Sequence, residues 1–153
     1  MADYDPTHAR RLIPGLSGLY DGLAPYMWPL IRFIAGASLV PHGWDKIIGG
    51  GVTGTAEFMA SLGMEPAMLW AWYIALLELI GGTLLAIGFI TRLWAILVVG
   101  FMAVAVFYVH WPNGFFWTDA GFEYPLFWGI VAFALFIRGG GRLSVDAAMG
   151  KEL

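Results

Sequence analysis

The chain has 153 residues, 59% hydrophobic and 12% charged, with a net charge of −3, no cysteine and a mean hydropathy of +0.73. A soluble domain carries about twice that charged fraction, so the composition excludes a soluble module and points to a single polytopic membrane domain, while the small net charge excludes nucleic acid as an expected partner. Without cysteine there is no disulfide framework, thiol redox couple or thiolate metal site within the chain.

Residues 1–24 are polar enough to stay in water and include Arg10-Arg11. The apolar stretch after this pair holds Arg32 and no small-residue cleavage site, so the segment reads as a retained cytoplasmic leader rather than an export signal. The first span is expected over 25–44, with Pro25 and Pro29 in its first turns, where a missing amide is tolerated, and Pro41-His42-Gly43 ending or kinking it. The connection over 45–66 opens with Asp45-Lys46 and a glycine run. It predicts a short amphipathic helix over 55–63, capped by Thr55, with Phe58, Met59 and Leu62 on one face, lying along the membrane surface.

The second span, 67–90, carries a single charge, Glu78, at its middle. About 20 apolar residues cross a bilayer core, so this carboxylate lies near the midplane, at a cost of roughly 3 kcal/mol or more unless it has a partner or holds a proton. A turn at Thr91-Arg92 leads to the third span, 93–111, which ends at His110-Trp111. An aromatic loop with Asn113, Phe115, Phe116 and Trp117 follows, then the fourth span over 122–137, with Glu123 and Tyr124 in its first turn, and a tail over 139–153.

The fold class is therefore an all-α membrane protein, an antiparallel bundle of four transmembrane helices over 25–138 with a short amphipathic helix in its first outer loop. Arg10, Arg11, Arg92, Arg138, Arg142 and Lys151 fall on one side of this map and Lys46 on the other. By the positive-inside rule both termini are cytoplasmic.

Two groups could carry chemistry. Counting 1.5 Å per residue from the outer helix ends puts Arg32 roughly 15–18 Å deep and Glu78 about 16 Å deep, which predicts an intramembrane ion pair, with Gly36 and Gly81-Gly82 letting the backbones approach. Such a pair is either a bundle clamp or the floor of a pocket. Outward of it gather His42, Lys46, His110, Asn113, Glu123 and Tyr124. His110 and Glu123 meeting beneath walls of Trp111, Phe115, Phe116 and Trp117 would suit proton exchange with a quinone-like ring; an interfacial aromatic belt has the same composition. His110 and Glu123 do not stand at the i, i+3 or i, i+4 spacing of a helical metal-ligand pair, so no metal site is expected.

The ordered segments RFIAGASLVPHGWDKIIGG, LLELIGGTLL, HWPNGFF, GFEYPLFW and GRLSVD resemble the DoxX family of small four-span membrane proteins, which includes DoxD-like subunits tied to quinone-linked thiosulfate oxidation. The resemblance implies a bacterial inner-membrane bundle, an accessory role in a larger quinone-linked or envelope redox complex, and quinone as the candidate cofactor. It leaves open a small-molecule carrier or a quinone-site oxidoreductase, and so whether the chain is an enzyme. Having no cysteine, the chain departs from relatives that work beside thiol chemistry.

Overall fold

The computed structural model describes residues 11–153; Arg10 and the residues before it, most of the first half of the expected leader, lie outside the described residues. Within them the chain is helical, with α1 at Ser17–Ala37, α2 at Val40–Ile47, α3 at Val52–Ser61, α4 at Ala67–Leu76, α5 at Gly82–Ile87, α6 at Thr91–Val104, α7 at Glu123–Arg138 and α8 at Val145–Met149. Turns of π-helix at Leu77–Gly81 and Ala105–His110 join α4 to α5 and extend α6. Three helical stretches, Pro14–Ile47, Ala67–Ile87 and Thr91–Asn113, are long and apolar enough to cross a membrane. Helix α7 has 16 residues.

Several boundaries differ from the sequence expectation. Helix α1 starts at Ser17, so Pro25 and Pro29 lie inside it rather than in its first turns. Pro41 acts upstream of itself: its ring excludes the carbonyl four residues earlier, and α1 ends at that residue, Ala37. The Ser38 hydroxyl donates to Ala35 O at 3.1 Å, and the chain resumes as α2 with Pro41 in its first turn. Thr55 is not a cap either. It lies within α3, its hydroxyl bonded back to Gly51 O at 3.0 Å. The reversal before α6 is Gly88 to Ile90, where Gly88 (φ 76°) closes α5 with Phe89 N–H on Leu84 O and its own N–H on Leu85 O.

Along the seam of α1 and α2 with the second span, residue numbers rise on one side and fall on the other, so the two stretches run in opposite directions. Glycine sets their spacing: a Cβ on Gly36 would overlap the backbone of Gly82 and Ala86, and one on Gly43 the backbone of Leu79. Small residues let membrane helices gain dispersion contacts where lipid removes the hydrophobic drive to associate. Gly81 instead faces the Trp94 ring. A core of Ala35, Leu39, Leu77, Leu85, Val98, Met102 and Leu135 joins these helices to α6 and α7, while Val52 and Ala56 of α3 pack on Ala71 and Ala75 of α4. Phe107, Phe127 and Ile130 point outward and are at least 60% exposed, a surface suited to lipid.

The tail is a built part of the fold. Asp146 is buried, and its carboxylate accepts from Ile90 N–H, Thr91 N–H and the Thr91 hydroxyl at 2.6–2.9 Å, capping α6 from a distant segment. Replacing Gly36 by Leu should destabilise the protein by at least the ~1–3 kcal/mol typical of overpacking, because backbone rather than side chain blocks the space. Gly22→Ala, on an open helix face, should be neutral or stabilising by up to ~1 kcal/mol. Melting temperatures in one detergent check both.

Candidate functional site

Glu78 is buried, 5% exposed, on the π turn of the second span. Its partner is Lys46. The Lys46 ammonium donates to Glu78 Oε2 at 2.6 Å, and a weaker 3.5 Å contact reaches His42 O. The expected Arg32–Glu78 pair does not form. Arg32 lies toward the other end of the bundle, 4% exposed, where it donates to Ala86 O (3.2 Å), Leu143 O (2.7 Å) and Gly140 O. Eight residues separate Glu78 from Ala86, about 12 Å along a helix. The depth estimate failed because it took His42 and Trp44 as the outer end of the first span, whereas α2 runs on to Ile47 and Gly43 packs against Leu79, so this turn is level with Glu78, and Lys46 extends its four-carbon stem inward from it.

Two open cavities meet at Glu78. One, of about 260 Å³, is lined by His42, Glu78, His110 and Tyr124 with walls of Leu39, Phe101, Met102 and Trp128. The other, of about 670 Å³, is lined by Lys46, Glu78 and His110 with walls of Phe58, Met59, Met64, Trp70 and Tyr73. Glu78, Phe101, Ala105 and His110 belong to both. Both titratable residues of that shared wall sit on π turns, which replace a regular turn with a wider one and recur at functional sites.

His110 is fixed in orientation. Its Nδ1 lies 2.6 Å from Ala120 O, and since a carbonyl only accepts, Nδ1 carries the proton and Nε2 is left for a ligand. Asn113 donates to the same carbonyl at 3.1 Å. Glu123 accepts from Trp117 N–H at 3.2 Å. His110 and Glu123 therefore serve the same loop without forming an ion pair with each other, and Asn113, Glu123 and Arg32 line neither cavity. Trp111, Phe115, Phe116 and Trp117 do not wall the site either. They are 47–64% exposed, with Trp111 stacked on Phe122 at 4.8 Å and the loop closed by Phe122 N–H on Gly114 O and Glu123 N–H on Phe115 O.

The structure thus brings His42, Lys46, Glu78, His110 and Tyr124 together and sets Arg32, Asn113 and Glu123 apart as structural groups. Sequence reasoning missed the walls. Phe101, Met102 and Trp128 carry no pattern that separates a cavity face from a packed one. It missed Asp146 as well, although Ser144, which caps α8 by accepting from Ala147 N–H at 3.0 Å, marks that segment as ordered.

A model of the DoxX family matches residues 27–111. The chain belongs to the DoxX family. The match takes in Arg32, His42, Lys46, Glu78 and His110 and stops before Asn113, so the DoxX region contains the charged floor of the site, while Tyr124 comes from beyond it. A Bacillus subtilis (strain 168) protein named "Putative oxidoreductase CatD" is 40% identical over 68 residues, 44% of this chain and 48% of the relative. An uncharacterized protein of Haemophilus influenzae (strain ATCC 51907 / DSM 11121 / KW20 / Rd) is 32% identical over 81 residues, 52% of this chain and 54% of the relative. The chain thus spans about half the length of these curated relatives. No solved structure gives a significant match. Family and apolar helices together make this a membrane protein.

The geometry predicts the outcome of a double-mutant cycle. Lys46→Met alone leaves Glu78 buried without its cation, at a cost of about 3–5 kcal/mol for a fully buried pair and less as water enters the cavity. Lys46→Met combined with Glu78→Leu should recover most of that loss. Arg32→Met and Glu78→Leu, at separate sites, should add within ~0.5 kcal/mol. Denaturation of the three single and two double variants in detergent provides the comparison.

Proposed function

We propose that the chain is a DoxX-type subunit of the bacterial inner membrane that binds a lipid-soluble quinone in the paired cavities and exchanges protons with it, as part of a larger redox complex that supplies the electrons. The observation that carries this reading is the wall shared by both cavities, where Glu78, paired to Lys46, stands with His110 and its available Nε2. A ligand pocket is mainly apolar, with a few fixed polar groups and roughly 300–1,000 Å³ of space, and the larger cavity, about 670 Å³, falls in that range. A quinone supplies carbonyl oxygens that take up two electrons and two protons. Lys46 in the larger cavity and Tyr124 in the smaller carry donors for such an oxygen, Glu78 and His110 Nε2 are acceptors for the hydroxyl of the reduced ring, and Phe58, Trp70 and Phe101 of the larger cavity exclude water from the ring faces. The oxidoreductase name of the Bacillus relative accords with this assignment.

In the same proposal the four-span topology holds. Helix α7 would be the short fourth span, about 24 Å at 1.5 Å per residue, packed on α6 as an antiparallel bundle, with residues 1–24 and 139–153 cytoplasmic. Six basic residues mark the cytoplasmic side, and Lys46, the basic residue of the outer loops, is turned inward to Glu78. Reporter fusions at Gly50 and Gly114 should read outside and one at Leu153 inside. A cytoplasmic signal at Gly114 would overturn the arrangement.

The binding reading is checked by extracting lipid from protein purified in mild detergent. Wild type should retain close to one quinone per chain, and His110→Ala should lose it while melting within a few degrees of wild type. Quinone no higher than in an unrelated membrane protein from the same preparation would leave only the accessory-subunit role.

A further inference from the structure

At the end of the bundle opposite the paired cavities lies a third cavity, of about 340 Å³, formed where α7 meets the tail and lined by Arg138, Arg142, Ser144, Asp146, Lys151 and Glu152 among others. Its charges do not cancel locally. Both carboxylate oxygens of Asp146 are taken by Ile90 and Thr91, and Glu152 is paired with Arg92 at 3.0 Å. Among the described residues Arg138, Arg142 and Lys151 form no ion pair and no side-chain hydrogen bond. The guanidinium of Arg138 is held over the Trp28 ring, 4.8 Å from its centroid, and the Trp28 indole is itself fixed by donating to Gly139 O at 3.0 Å. Cation–π contact orients Arg138 without neutralising it, so the cavity keeps three cations with donors to spare.

Its level in the molecule says what would fill it. The apolar surface of α7 runs out to Phe133 and Ile137, both more than half exposed, and Arg138 follows at once. An indole bonded at a helix end next to a guanidinium is the arrangement expected where hydrocarbon gives way to headgroups. We propose that this cavity binds the phosphate group of an anionic phospholipid, with Arg138 and Arg142 donating to the phosphate oxygens, Lys151 adding its point charge and the acyl chains lying along the exposed face of α7. The site is separate from the paired cavities, and its test does not depend on them.

The test is titration of the detergent-solubilised full chain with phosphatidylglycerol, read as lipid adducts by native mass spectrometry. Phosphatidylglycerol should bind one per chain and phosphatidylcholine much more weakly. The double variant Arg142→Gln/Lys151→Gln removes two side chains that make no bond within the described residues, and so should fold. It should bind phosphatidylglycerol about 10- to 30-fold more weakly, at roughly a factor of 5 per basic residue near a membrane surface. Ten millimolar inorganic phosphate should leave the adduct in place. Equal adducts from the two lipids, or undiminished binding by the folded variant, overturns the site. Displacement by inorganic phosphate overturns the lipid source in favour of a soluble phosphate ester.

Discussion

An ionised carboxylate in the middle of an apolar helix must be answered from within the protein, and in this structure Lys46 answers Glu78. Much of the local architecture serves that contact. Pro41 ends α1 at Ala37, and the chain resumes as α2 with Pro41 in its first turn. Gly43 then brings α2 against the backbone of Leu79, the neighbour of Glu78. From there the lysine stem spans the remaining distance. A shorter cation, or a Cβ at residue 43, would leave the carboxylate bare, with the penalty that burying an unpaired charge carries.

The bundle divides its polar work between its two ends. At one, Arg32 donates to three carbonyls of the second span and the tail, and Asp146 caps α6, so each buried charge is consumed by backbone groups. Such groups hold chain segments together and offer a ligand nothing. At the other, Lys46, Glu78, His42, His110 and Tyr124 border open space, and His110 spends only one ring nitrogen on the loop. Polar groups with remaining hydrogen-bonding capacity beside apolar walls are what distinguish a binding site from a clamp.

The helical membrane character, the close approach at Gly36 and Gly82 and the burial of Glu78 were all legible in the sequence, because hydropathy, glycine placement and a lone charge are local signals. The partner of Glu78 was not. Choosing between Arg32 and Lys46 required knowing which turn of the first stretch lies level with Glu78, and Pro41-His42-Gly43 read as the end of the span, whereas the helix resumes there and Gly43 packs against Leu79. Neither π turn leaves a residue pattern, so the widening that presents Glu78 and His110 was invisible. The aromatic loop looked like a pocket wall because composition cannot tell a ring stacked on its own loop, as Trp111 is on Phe122, from one facing a cavity. Asp146 was hidden for a related reason: its partners lie 55 and 56 residues away.

The central claim, that Lys46 and Glu78 are in contact within the apolar bundle, is open to direct chemical test. A lipid-soluble carbodiimide activates a buried carboxylate and joins it to an amine only when the two already touch, while the guanidinium of Arg32 does not react. Peptide mass spectrometry after treatment should find an amide linking Lys46 to Glu78, absent from Glu78→Gln. Glu78 modified by the reagent with Lys46 free, or Lys46 joined to another carboxylate, would contradict the account.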